Sequence, residues 1–160
     1  MIRPTIFMQH FLNTPGLYTR GDDRTFLPTG EGKVAWLDCR DIAAFAAALV
    51  LASPEAVAPF KGRAFELTGP RAHTAAELVE ILSLVAGRPF KHVDGVAAFS
   101  ARCAELGVPD MIKGVYGEAA GGWFSKVEDD AFVRLTGRHT SSFARFAADH
   151  AAHFGGGGRD

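Results

Sequence analysis

The strongest hydrophobic pattern in the chain is a short apolar run followed directly by a long one. Residues 34–37 contain no polar breaker, which predicts a short buried strand. Asp38 then predicts a helix cap, and Asp41 falls in the first helical turn, where free N–H groups favour a carboxylate. Residues 42–51 are almost wholly apolar and rich in alanine, so we expect a helix packed on several sides. This strand–helix unit is predicted to lie at the centre of the fold.

Shorter runs bounded by glycine and proline predict the remaining strands. They lie at Ile2–Arg3, which Pro4 ends, and at 26–27, 63–68 and 90–93. Helical spacing predicts a short turn over 5–12 and helices over 74–86, 96–106, 109–122, 125–136 and 141–154. Capping boxes at 74–77 and 125–128 are predicted to begin two of these helices. Residues 13–30 and 53–62 are predicted to be loops, because prolines and glycines interrupt them. This alternation of strands and helices favours an α/β class with parallel pairing.

Composition and charge narrow the function classes. The chain has 160 residues, 48% hydrophobic, and a net charge of −1, so a nucleic-acid backbone is not an expected partner. Two cysteines without a CxxC motif favour a reduced, cytoplasmic protein, and the longest apolar run is too short to cross a bilayer. His150 and His153 are three positions apart on a helix but lack a partner at ligand spacing, so no metal site is predicted.

Several short motifs follow one another in a characteristic order. They are residues 3–8 with Phe11-Leu12, 32–34 with 38–43, 65–70, 77–78, 87–89, and 135–138 with 142–143 and 146–147. This series resembles the NmrA-like atypical short-chain dehydrogenase/reductases, over nearly the whole chain. The resemblance covers only the second half of such a protein, and it implies a Rossmann-like fold, an NAD(P) cofactor and oxidoreductase activity.

Two features of dinucleotide-dependent relatives are not found in the sequence. Family members begin with a strand and a glycine-rich turn that places the pyrophosphate at a helix N-terminus. The nearest mimic, at 30–35, precedes a strand instead of following one, and the glycines at 155–158 have no strand before them. Neither Tyr18 nor Tyr116 has a lysine four residues on. We therefore expect this chain alone to bind NAD(P) weakly or not at all.

The resemblance also implies candidate site residues. Arg3, Pro4 and Phe7 would line the nicotinamide end of the cofactor cleft; alternatively, Pro4 merely ends a strand and Phe7 packs in the core. His10 stands where relatives usually carry asparagine, so it is a candidate to face a ligand and donate a proton near neutral pH. The alternative is a partly exposed helical histidine. The sequence identifies no other catalytic residue.

The predicted fold class is α/β: a partial Rossmann-like parallel sheet with a C-terminal helical substrate-binding subdomain. Residues 1–94 would form the C-terminal part of the NAD(P)-binding domain, residues 95–154 a helical substrate or lid region, and residues 155–160 a disordered tail.

Three functions remain open at this point. The chain could be the substrate-side half of an NAD(P)-dependent reductase of a small, quinone-like or aromatic acceptor. It could be a non-catalytic redox-sensor or binding module, or a truncated subunit that needs a partner. The strands at Ile2 and Phe65 would leave an open sheet edge, which we expect a second copy, a partner chain or a preceding segment to cover.

Overall fold

Parallel strands and short helices make up the structure, a computed structural model that describes residues 1–14, 23–108 and 111–155. The strands are β1 (Ile2–Pro4), β2 (Arg24–Phe26), β3 (Phe65–Leu67) and β4 (Lys91–Val93). The helices are α1 (His10–Asn13), α2 (Cys39–Leu51), α3 (Pro54–Val57), α4 (Ala75–Ala86), α5 (Val96–Glu105), α6 (Met111–Ala120), α7 (Asp130–Thr136), α8 (Phe143–Asp149) and α9 (Ala151–Phe154), with a 3₁₀ turn at Ala58–Phe60. Tyr18 and the tail at 156–160 lie outside the described residues.

The strands pair in two small parallel sheets. β1 lies beside β3, with Ile2 opposite Phe65 in the register. β2 lies beside β4, with Arg24 opposite Lys91. Parallel neighbours need long crossover connections, and the helices between these strands supply them. The predicted α/β class with parallel pairing is confirmed.

The segment 34–37 is buried as predicted but is not a regular strand. It makes isolated bridges at its two ends, Val34 antiparallel to His73 and Leu37 parallel to Phe7. Between them, the Ala35 N–H donates to the Phe124 carbonyl at 2.8 Å. Segment 34–37 is thus bonded to three different irregular segments, at Phe7, His73 and Phe124, and for this reason it forms no continuous β-ladder with any of them.

Helix α2 lies at the surface, so the prediction that it packs on several sides is wrong. Asp41 and Phe45 are its buried residues, whereas Val50 and Leu51 are 82% and 84% exposed. Phe45 stacks on Phe132 of α7, with the ring centroids 6.2 Å apart. Alanines fill most of the other positions, and their small side chains can face water at little cost.

Local signals place several helix ends correctly. The Asp38 side chain accepts a hydrogen bond from the Arg40 N–H and caps α2. Thr74 and Glu77 form the predicted reciprocal capping box of α4, which ends at Gly87 in the left-handed conformation. These signals need no distant partner, so they could be recognised from the sequence.

The second predicted capping box, at 125–128, does not form. The Ser125 hydroxyl donates to the Gly122 carbonyl at 2.7 Å, and the Glu128 N–H donates to the Thr68 hydroxyl at 2.8 Å. Helix α7 therefore begins only at Asp130.

Two other boundaries also differ from the prediction. Within 53–62, Pro54 begins α3 instead of preventing a helix, because the first helical position needs no N–H donor. The Ser53 side chain accepts from the Ala56 N–H and caps this helix. The last predicted helix is interrupted at His150, whose φ of −114° separates α8 from α9.

Aromatic side chains build the main core. Phe11 packs edge-on against Trp36 and against Phe143, each with centroids 5.0 Å apart. The same apolar cluster includes Phe99 and Phe154, so helices from the C-terminal part pack on the residues around 34–37. A search of the described residues finds no helix with the length and apolar character to cross a membrane.

Candidate functional site

The corner that follows β1 lies at the carboxyl ends of two parallel strands. The Thr5 N–H donates to the Leu67 carbonyl of β3 at 3.0 Å, directly beyond Pro4. The chain then runs along Leu37, whose N–H donates to the Ile6 carbonyl at 3.0 Å. Because of these bonds residues 5–7 are extended, so the helical turn predicted over 5–12 begins only at Met8, where the Phe11 N–H donates to the Met8 carbonyl at 3.0 Å. In open α/β sheets, ligands bind at this edge.

The structure brings the three candidate cofactor residues to this corner. Arg3 and Pro4 are exposed, and Phe7 is half-buried, so Phe7 is not a core residue in this chain. A bridge between Phe7 and Leu37 fixes the backbone there. The exposed side chains could therefore meet a ligand at the strand ends. Their contact with a cofactor stays a prediction.

His10 is half-buried on α1, beside the same corner. Its ring lies edge-on to Phe7 with centroids 6.0 Å apart, and its Nδ1 is 3.5 Å from the Tyr116 hydroxyl. Tyr116 belongs to α6, is buried, and packs edge-on against Phe99 of α5. Burial lowers the pKa of His10 below its ordinary 6.5, because the charged imidazolium loses hydration.

Tyr116 is the site residue that sequence reasoning missed. In the sequence it stands out only as a possible member of a Tyr-x-x-x-Lys pair, which it does not form. It lies 106 positions from His10, and no local spacing connects the two. The one feature of the sequence that pointed to Tyr116 was its position within the predicted helical substrate or lid region, 95–154.

A polar network lies behind α1 at the start of α2. The Gln9 side chain donates to Asp38 Oδ1 at 2.7 Å and accepts from the Cys39 N–H at 3.0 Å. Arg40 donates to Asp38 Oδ2 from both Nε and Nη2, at 2.8 and 2.6 Å. Burial alone would raise the pKa of Asp38, but the hydrogen bonds from Arg40 and Gln9 outweigh it and leave that pKa below 3.8.

Two helix N-termini that could hold a phosphate are already occupied. A carboxylate caps α2 at Asp38, which is fully buried, and Glu77 closes the capping box of α4. Negative side chains at these positions repel a pyrophosphate and use the N–H groups it would need. In the described segments, no turn with two glycines leads from a strand into a helix. The N-termini of α2 and α4 thus offer no pyrophosphate seat.

Comparison with known proteins shows the relatives of this chain. No family model matches it. It is 35% identical over 161 residues to an NAD(P)H azoreductase of Xenophilus azovorans, an alignment that covers 96% of this chain and 53% of the relative. It is 33% identical over 159 residues to a (4-alkanoyl-5-oxo-2,5-dihydrofuran-3-yl)methyl phosphate reductase of Streptomyces griseus, with the same two coverages. The chain therefore spans about half the length of the curated relatives it matches.

Solved structures show the same fold. A triphenylmethane reductase of Citrobacter sp., complexed with NADP(H), superposes with a TM-score of 0.74 at 22% identity, over 93% of this chain and 51% of that one. An NADPH-dependent quinone oxidoreductase of Escherichia coli gives a TM-score of 0.68 at 19% identity, over 94% and 51%. The fold is thus Rossmann-like, as the sequence predicted. These relatives confirm the resemblance to the NmrA-like atypical short-chain dehydrogenase/reductases that the motifs indicated.

Proposed function

We propose that this chain is the substrate-side half of an NAD(P)-dependent oxidoreductase that reduces a small, quinone-like or aromatic acceptor. One observation carries the proposal: His10 and Tyr116 meet, at 3.5 Å, beside the corner where β1 and β3 end. The relatives support the reaction class, since the four named above are an azoreductase, a dihydrofuranyl-methyl phosphate reductase, a triphenylmethane reductase and a quinone oxidoreductase.

In this proposal His10 supplies the proton that reduction requires. The nicotinamide that Arg3, Pro4 and Phe7 would contact would supply a hydride, and the reduced acceptor must also gain a proton. The imidazolium of His10 donates that proton. Because burial lowers the pKa of His10, this charged form is populated mainly below pH 6.5, so donation is expected at acidic pH and not near neutral pH as the sequence suggested. The Tyr116 hydroxyl, held by the packing of α5 against α6, orients the ring through Nδ1.

Helices α5 and α6 would form the lid over the acceptor, within the proposed helical region 95–154. Phe99 and Tyr116 present buried aromatic surface behind His10. Because both rings are 1% exposed, they form an apolar backing that excludes water from that side of the proton donor.

Arg3, Pro4 and Phe7 would contact the nicotinamide end of the cofactor. Because the N-termini of α2 and α4 are filled by carboxylates, the pyrophosphate seat is expected to come from outside the described residues. A fluorescence titration of the 160-residue chain with NADPH and NADH tests this. We expect no saturation at micromolar cofactor, and saturable micromolar binding would contradict the proposal that the chain is one half of the site.

We also propose that a further strand covers the open sheet beside β1. Among the described residues, β1 pairs with β3 alone, and a cavity of about 380 Å³ lies next to this pair with Phe60 and Phe65 in its wall. An uncovered apolar edge of this kind associates with another chain. The isolated chain is expected to self-associate, and a monomer in light scattering at micromolar concentration would contradict this.

The decisive experiment compares His10→Gln with His92→Gln in NADPH-dependent quinone reduction, using the chain joined to whatever upstream segment its gene encodes. His92 lies on β4 and bonds to the Leu27 carbonyl at 2.8 Å, so it controls for loss of a half-buried histidine. We expect only His10→Gln to lower kcat, and the rate of the unsubstituted protein to rise as pH falls below 6.5. Cofactor binding without quinone reduction would instead favour the redox-sensor alternative.

A further inference from the structure

Gln9 uses its side chain in an unusual way. It occupies the N-cap position of α1, yet its side chain makes no capping bond to that helix. Instead, both ends of the amide bond to α2: Oε1 accepts from the Cys39 N–H at 3.0 Å and Nε2 donates to Asp38 Oδ1 at 2.7 Å. Gln9 therefore caps a helix that begins 30 positions further along the chain.

The partner of Gln9 is a rigid anchor. Asp38 is fully buried, and Arg40 holds its other oxygen through two hydrogen bonds. Arg40 also reaches Asp149 of α8 at 3.0 Å. Charge-assisted, two-pronged contacts of this kind fix the direction of a side chain as well as its distance.

Helix α1, in contrast, cannot hold itself in place. It has four residues, a single turn, and isolated helices of that length are unstable in water. On its upstream side the Met8 N–H donates to the Leu37 carbonyl at 2.9 Å. Gln9 adds a second attachment to the same segment, and His10 is the next residue. These two hydrogen-bonded attachments act together with the buried Phe11 of α1, which packs against Trp36 and Phe143, to place the His10 ring.

We propose that Gln9 is a positioning residue, which holds α1 against the start of α2 so that the His10 ring stands beside Tyr116. The importance of this contact for reduction depends on the function proposed above. The position of the ring does not depend on it, so the two ideas can be tested separately.

The test compares Gln9→Ala with Thr74→Ala by NMR on the full chain. Thr74 caps α4, so its loss removes a side-chain cap of comparable strength without touching α1. We expect Gln9→Ala to abolish the nuclear Overhauser contacts between the rings of His10 and Tyr116, while Thr74→Ala keeps them. Gln9→Met, which preserves side-chain length but makes neither hydrogen bond, serves if Gln9→Ala does not fold.

Retention of those ring contacts in a folded Gln9 variant would overturn the proposal and leave Gln9 as a purely stabilising residue. Where the quinone assay gives activity, Gln9→Ala is expected to lower kcat by about 10- to 100-fold, because misplacement of a reacting group by about 1 Å has effects of this order. Absence of activity in the unsubstituted protein would refute the proposed function, and the NMR comparison would still decide the role of Gln9.

Discussion

Gly69 is the position where the structure makes the sharpest prediction. It follows β3 and runs against the buried segment 34–37, where its N–H donates to the Ala35 carbonyl at 3.2 Å. A Cβ built on Gly69 would stand 2.0 Å from the Trp36 carbonyl oxygen and 3.0 Å from its carbon. Ordinary contact begins at 3.4 Å, and both neighbours are backbone atoms that no rotamer change can move.

The substitution Gly69→Ala is therefore expected to be strongly destabilising. Relief needs the two backbones to separate by about 1 Å, which breaks the hydrogen bond to Ala35 and disturbs the packing of Trp36. Overpacking of a core costs about 1–3 kcal/mol or more. The lost hydrogen bond adds about 1 kcal/mol. We expect a loss of about 2–4 kcal/mol, a large part of the stability of a typical domain.

Urea denaturation followed by tryptophan fluorescence measures this effect, since Trp36 is buried in the folded chain. Gly114→Ala provides the matched control, because a Cβ there meets nothing within 4 Å and Gly114 lies inside α6. The control is expected to gain about 0.5–1 kcal/mol from the higher helix propensity of alanine. A Gly69→Ala protein as stable as the unsubstituted chain would refute the close approach of these two segments.

Three further substitutions test other contacts. Asp41→Ala removes the acceptor that Arg138 and the Ser141 N–H reach at 2.8 and 2.6 Å, and should lower the free energy of unfolding by about 2 kcal/mol in urea titrations; no loss would contradict the contact. Burial lowers the pKa of His10 in the folded chain, so on acidification His10 is protonated in the unfolded chain before it is protonated in the folded one. The contribution of His10 to stability is therefore complete above pH 6.5 and falls as the pH drops towards the pKa of the folded state. His10→Gln should make this acid loss shallower in the same titration, and an unchanged slope would count against burial as the cause. Thr74→Ala should cost about 1 kcal/mol in thermal denaturation, and an unchanged midpoint would mean that the capping box adds nothing.

Local chemistry explains how much of the fold could be predicted. The capping box at Thr74 and the left-handed Gly87 and Gly137 act through neighbours in the chain, so helix ends there were predicted correctly. The Ser125–Glu128 box has the same sequence signature but fails, because Thr68 takes the N–H that Ser125 would have capped. A motif cannot show which of its groups have a better partner elsewhere.

In the candidate site, too, some features could be predicted from the sequence and others depend on contacts between distant residues. Its corner was predicted from the order of motifs around Arg3 and Pro4, and the parallel pairing of β1 with β3 places that corner at the strand ends. The contact between His10 and Tyr116 depends on how α6 packs, which no periodicity in the sequence encodes. The alanines of α2 likewise gave no indication of which side faces water.

The pairing of β1 with β3 also has a consequence for biosynthesis. Ile2 and Phe65 lie 63 positions apart, so β1 leaves the ribosome well before its partner exists. At about 5–20 residues per second, that interval is roughly 3–12 s. During it, β1 carries unsatisfied backbone groups, and it can dock only after the intervening helices have been made. The β1–β3 sheet therefore cannot form until the chain as far as Leu67 has left the ribosome.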